Sequence, residues 1–241
     1  MTLLTSLQTE FIESVLSLKP VVATFDCDGT LWSGDAGEGF FSWELELEQG
    51  QRLVPEPIAR WARSRYADYK AGRVAEEVMC GEMVTMHRGL REEAVQQACD
   101  AYFPQAIGAH IFPEMRELVL RLLDSGCDVW AVSSTNLWII RSAMRFFRIP
   151  ESRILAAETA VENGIITDRL IRVPSGPGKP EAIREVIRGA LDCAFGNSIW
   201  DREMLDMSKH PFAINPNPHL KEIALANGWK VYQPDTNNGG R

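Results

Sequence analysis

Residues 25–32 read FDCDGTLW, with Asp26 and Asp28 separated by one cysteine and followed at once by a glycine. The pair closes the apolar run from Val21 to Phe25. A short β-branched and aromatic run that ends in polar residues and glycine predicts a buried strand with its functional end at the carboxyl side. Side chains two apart on a strand share a face, so Asp26 and Asp28 are expected at one centre. The turn at Gly29 draws them together, and Cys27 points the opposite way, into the core.

Similar runs follow at Val129 to Val132, at Ala194 and Phe195 before a glycine, and at Phe212 to Ile214. Segments of 3.6-residue periodicity lie between them, which predicts an α/β fold: a Rossmann-like parallel sheet covered by helices on both faces, in three layers. Helix punctuation agrees. Pro113 opens and Gly126 closes one helix, Asn217 and Pro218 supply the cap and first position of another, and Lys179 with Pro180 marks a third start. Thr5 and Gln8 have capping-box spacing at the head of an N-terminal amphipathic helix. Asn163-Gly164, between two β-rich runs, predicts a hairpin decorating the sheet edge. The terminal PDTNNGGR has the composition of a disordered tail.

Between Ser33 and about His110 the strand signal is replaced by helical stretches such as PIARWARSRYADYK and EEAVQQACDAYF. This predicts a helical cap, residues 33–109, inserted after the first strand of a core made from residues 1–32 and 110–241.

The residues after each apolar run are the ones to examine, and they are polar: Asp26, Asp28 and Thr30; Ser133, Ser134, Thr135 and Asn136; Gly196, Asn197 and Asp201; with Lys179 opening a helix. Carboxylates, a hydroxyl-rich helix start and a cation are the equipment for moving a phosphoryl group with a divalent metal. N–H groups near Asn136 would hold phosphate oxygens and Lys179 would offset their charge. With DCDGT, AVSS, GPGKPEA and GNSIWD in this order, the chain resembles the haloacid dehalogenase superfamily of aspartate-dependent phosphotransferases. The position and length of the insertion resemble the cap of its phosphoserine phosphatase-like branch.

The resemblance implies a Mg2+-dependent phosphatase in which Asp26 attacks phosphorus and Asp28 protonates the leaving oxygen, then activates water. It implies that Ser133 and Lys179 bind the phosphoryl group, and that Asp26, Asp28, Asn197 and Asp201 supply the Mg2+ site. Family members usually carry GD in the last motif. Here Asn197 brings an oxygen but no charge, which predicts a weaker metal site.

Thr30, Asp35, Glu38 and Ser134 are the expected substrate contacts. Asp35 occupies the offset at which phosphoserine phosphatases place a glutamate for the substrate amine, and Met83 falls where they would carry an arginine for its carboxylate. That combination favours an amine-bearing phosphomonoester, such as phosphoethanolamine or phosphocholine, over phosphoserine. Trp32, Phe40, Phe41, Trp43, Trp61, Tyr66 and Tyr69 are candidates for an aromatic wall against a cation, although most should be helix packing.

Composition narrows the classes. The 241 residues carry a formal net charge of −8 without a long basic cluster, which argues against nucleic acid and for a small phosphorylated metabolite. Five scattered cysteines without CxxC spacing predict neither a disulfide framework nor a zinc site, and fit a reducing cytoplasm. No apolar stretch approaches the ~20 residues that span a bilayer. Two rival readings remain at this level: a phosphate-ligand sensor that has lost turnover, suggested by Asn197, and a dehalogenase of the same fold, against which Asp28 argues. The sequence does not set the oligomeric state.

Overall fold

In the computed structural model, which describes residues 4–48 and 51–234, the strands are β1 (Val22–Phe25), β2 (Asp128–Asn136), β3 (Ile154–Glu162), β4 (Ile165–Arg172), β5 (Leu191–Gly196), β6 (Ser208–Ile214) and β7 (Lys230–Tyr232). They form one sheet in the order β4-β3-β2-β1-β5-β6-β7, parallel except for β4, which runs antiparallel to β3. The helices are α1 (Ser6–Leu16), α2 (Ala36–Glu46), α3 (Glu56–Lys70), α4 (Glu76–Thr85), α5 (Glu92–Ala106), α6 (Pro113–Asp124), α7 (Leu137–Met144), α8 (Gly178–Val186), α9 (Arg202–Asp206) and α10 (Pro218–Ala226).

β1 is central with both its faces covered, which is why Ala23, Thr24 and Phe25 are all fully buried. On one face Phe25 stacks on Phe195, and Phe195 on Phe212, at ring-centroid distances of 4.2 and 4.8 Å; these residues are register partners on β1, β5 and β6. Cys27 is fully buried in the same cluster, as its alternation from Asp26 predicts. The opposite face packs Val132, Ala194 and Ala213 against α8, α9 and α10. This is the predicted three-layer α/β core.

The local signals behave as their chemistry requires. Thr5 and Gln8 close the capping box in both directions, and Asn217 caps α10 through the Leu220 N–H at 2.9 Å. Asn163 and Gly164 take positive φ, 52° and 77°, in the hairpin turn. That hairpin does more than decorate an edge. Gly89 N–H donates to Ile166 O, Ile166 N–H to Leu90 O and Glu92 N–H to Gly164 O, so the hairpin also braces the inserted helices. β7 had no sequence forecast, and the tail beyond Pro234 lies outside the described residues.

Helices α2 to α5 all fall between β1 and α6, where the insertion was expected. Phe41, Leu45, Ala59, Ala62 and Met79 make a cluster of their own, while Phe40, Val95, Cys99 and Phe103 join the main core. The two crossings run side by side: Trp32 bridges Ile111 antiparallel, with Ser33 N–H bonded to His110 O and Phe112 N–H to Leu31 O. Among the described residues no helix is long and apolar enough to cross a membrane, and all five cysteines are free thiols.

Candidate active site

β1 ends where Asp26 N–H takes its last ladder bond, to Phe195 O. The chain then turns through Gly29 at φ +75°. The Asp26 carboxylate is held on both oxygens: Oδ1 accepts from Lys179 Nζ at 2.7 Å and Oδ2 from the Thr30 hydroxyl at 2.8 Å. Lys179, 1% exposed at the start of α8, spends its other two protons on Val132 O and Asp201 Oδ1, at 2.9 and 2.5 Å. All three ammonium donors are therefore satisfied. Burial works to lower the Lys179 pKa, but Asp201 and Asp26 outweigh it and hold it above the usual lysine range. Burial and the Asp201 charge push Asp26 up to about 6 against the pull of Lys179.

Asp28 is held differently. Its Oδ1 accepts from the Trp32 indole at 2.8 Å and from Ala36 N–H, the first amide of α2, at 2.6 Å; its Oδ2 accepts from the Thr135 hydroxyl at 2.7 Å. Burial, and next the charge of Asp35, push its carboxyl up to about 8 in spite of these donors. Two carboxylates two residues apart thus have different chemistry: one clamped by an ammonium, the other carrying a proton at neutral pH.

Ser133 is 2% exposed, and its Oγ accepts the Thr135 N–H at 3.1 Å at the end of β2, next to Asn136, which caps α7 through Ile139 N–H. Asp201, grouped with the metal ligands from sequence, has both oxygens engaged: Oδ1 with Lys179, Oδ2 with the N–H groups of Asn197 and Ser198 at 2.9 Å each. It braces the Lys179 ammonium and the 197–198 turn. Thr30, expected at the substrate, is fully buried and holds Asp26 instead.

The Asn197 amide lies against Gly29, where an added Cβ would sit 1.8 Å from Asn197 Nδ2. Gly29→Ala is therefore expected to cost about 1–2 kcal/mol from the left-handed backbone alone, and more as Asn197 is displaced. Urea unfolding checks this, and an unchanged midpoint would contradict it.

Beyond Thr135 a small pocket opens, with Asp35, Glu38, Tyr66, Tyr69, Glu76 and Ser134 in its wall. Asp35, Glu38, Ser134 and Met83 are thus brought together as their positions suggested. Of the seven aromatic candidates, Tyr66 and Tyr69 reach it; Trp32, Phe40 and Phe41 are buried in the cores, and Trp32 serves as the donor to Asp28. Glu76 is the contributor that the sequence reading passed over; Thr135, Trp32 and Tyr69 were named there without these roles.

Among the described residues no three His, Cys, Asp or Glu side chains are grouped as a ready metal site. The donors nonetheless suit a hard divalent cation. Asp26 and Asp201 both bind the Lys179 ammonium, two carboxylates on one cation, and the Asn197 amide borders the Asp26–Gly29 turn. Asp26, the Asp28 backbone carbonyl and Asn197 offer oxygen only, the set that Mg2+ prefers.

The family model for haloacid dehalogenase-like hydrolases matches residues 23–206. A phosphoserine phosphatase of Mycobacterium tuberculosis is 30% identical over 233 residues, covering 87% of this chain and 69% of the relative. A histidinol-phosphatase of Neisseria meningitidis is 25% identical over 220 residues, covering 87% of this chain and 97% of the relative. A solved structure of a protein of unknown function from Bordetella pertussis superposes with a TM-score of 0.73 at 22% identity, covering 88% of this chain and 97% of that one.

Proposed function

Because this chain belongs to the haloacid dehalogenase-like hydrolases, we propose that it is a Mg2+-dependent phosphatase of a small, amine-bearing phosphomonoester, working through an aspartyl-phosphate on Asp26. The observation that carries this reading is the division of labour between Asp26, clamped by Lys179, and Asp28, pushed up to about 8 beside it.

Asp26 attacks phosphorus, and the bond from phosphorus to the ester oxygen breaks as Asp28 gives that oxygen its proton. The alcohol leaves. Asp28, now a carboxylate, takes a proton from the water that attacks the aspartyl-phosphate, which restores both side chains and releases phosphate. The Ser133 hydroxyl donates to the phosphoryl oxygens, and the Lys179 ammonium, kept in place by Asp201 and Val132 O, offsets their charge through the field rather than through a free N–H. Mg2+ would be held by Asp26, the Asp28 carbonyl and Asn197, and when bound supplies positive charge against the phosphoryl group.

Residues 33–109 act as the cap over the leaving group, and the free thiols suit work in the cytoplasm. The substrate is a soluble phosphorylated metabolite, not a nucleic acid. The phosphatase names of the Mycobacterium and Neisseria relatives support hydrolysis over ligand sensing.

The test is hydrolysis of p-nitrophenyl phosphate and ethyl phosphate with Mg2+ and with chelator. Turnover that stops with chelator is expected. Asp28→Asn should cost about 10²–10⁴-fold on ethyl phosphate and less on p-nitrophenyl phosphate, whose phenolate leaves without help from an acid. Equal losses on the two esters would remove Asp28 as the acid. Binding of phosphate esters without phosphate release would replace the phosphatase by the sensor.

A further inference from the structure

We propose that the pocket beyond Thr135 selects a short alkylammonium leaving group that carries no carboxylate, with Glu76, held by Tyr69, as the selector. The proposal rests on the phosphatase reading of Asp26 and Asp28 and specifies the class of alcohol released.

The pocket lies on the proton-donor side of the site. Thr135, in its wall, holds Asp28 Oδ2 at 2.7 Å, so a group leaving with the Asp28 proton departs into this space. Its ionisable wall residues include three carboxylates, Asp35, Glu38 and Glu76, and among the described residues no lysine, arginine or histidine lines it. Met79 and Met83 complete a soft apolar side. An ammonium entering here meets opposite charge. A carboxylate meets like charge from the three wall carboxylates, with the rim Lys70 already taken by Glu38, which disfavours it.

Two further observations point to an ammonium. At the rim, Lys70 places its own ammonium 5.5 Å from the Tyr66 ring centroid and 3.5 Å from Glu38, so a primary amine already rests against this carboxylate and aromatic face. The Tyr66 hydroxyl is buried beside the Glu38 carboxylate, and burial together with that carboxylate pushes its pKa up, so this corner of the wall gathers negative potential that a cation would relieve.

Glu76 is half-buried in the first turn of α4 and accepts the Tyr69 hydroxyl on Oε2. The bond fixes which way its carboxylate faces. Burial raises its pKa, Tyr69 opposes that, and the Asp35 charge raises it again, so a cation would relieve the crowding. Size decides the rest. The free volume is about 50 Å³. A space of this size suits a short leaving group over a bulky one.

The test uses three esters: O-phosphoethanolamine, O-phosphoserine and ethyl phosphate. Hydrolysis of p-nitrophenyl phosphate reports the phosphatase reading by itself. Calorimetric binding of the three esters to the Asp26→Asn chain with Mg2+ reports the pocket whether or not turnover occurs, and kcat/KM ratios on the unaltered chain repeat the comparison without that substitution. O-phosphoethanolamine is expected to bind at least about tenfold more tightly than either competitor. Glu76→Gln, which keeps an acceptor for Tyr69, should lower the ratio of O-phosphoethanolamine to ethyl phosphate about tenfold. Equal affinities, tighter binding of O-phosphoserine, or a ratio unmoved by Glu76→Gln overturns the proposal. Failure of p-nitrophenyl phosphate hydrolysis removes the phosphatase reading and leaves the binding ratios to decide the pocket.

Discussion

Asp26→Asn is expected to lower kcat on p-nitrophenyl phosphate by at least about 10⁴-fold, because an amide oxygen is not the nucleophile that the first displacement requires. Stability should not fall with it. The asparagine oxygen still accepts from Lys179, its amide N–H donates to the Thr30 hydroxyl, and a charge that burial and Asp201 make unfavourable is gone. The thermal midpoint should therefore hold or rise. This pairing of inactivity with undiminished stability separates a catalytic role from a structural one. Turnover within tenfold of the natural chain would exclude Asp26 as the nucleophile.

Lys179→Met has the opposite signature. It leaves the buried carboxylates of Asp26 and Asp201 facing one another with no cation, and removing one partner of such a buried pair costs about 3–5 kcal/mol. The linkage sign follows from Asp26. Its folded pKa lies above the ordinary carboxylate value of 3.8, at about 6, so the folded state binds more protons and stability falls as pH rises through that window. Without Lys179 the group that lowers this pKa is missing, and the window extends upward. The variant should be much less stable than the natural chain at about pH 8 and recover part of the difference near pH 5, where protonation removes the repulsion. Urea midpoints at the two pH values read this directly. A loss of equal size at both would show that Lys179 contributes packing and not charge balance.

The core was legible because its signals are local. The short run ending at Phe25 reads as a buried strand because both faces of β1 are covered, and Asn163-Gly164 is a turn because both residues adopt positive φ. Lys179 was legible only through the order of the motifs, because a lysine opening a helix is otherwise an ordinary surface residue, and its burial to 1% exposure emerges with the fold. The leaving-group pocket was only half legible. Asp35 and Glu38 follow the motif directly, but Tyr66, Tyr69 and Glu76 come from α3 and α4, and helical periodicity tells which stripe packs without telling which end of it meets the site. Trp32 had the signal of an aromatic wall. Its indole N–H turns to Asp28 because the Gly29 turn brings it back over the strand end. The Asp201 pattern marked an acidic neighbour of the metal; its partners, Lys179 and two backbone amides, emerge only when α8 is folded against β5.

The central claim is that the carboxylate of Asp26 becomes covalently phosphorylated. Rapid acid quench of the natural chain with Mg2+ and saturating O-phosphoethanolamine, followed by peptide mass spectrometry, reads it most directly. One phosphoryl group on Asp26, absent from the Asp26→Asn chain, is the expected result. Steady hydrolysis with no modified peptide at any quench time, or a phosphoryl group on another residue, would contradict it.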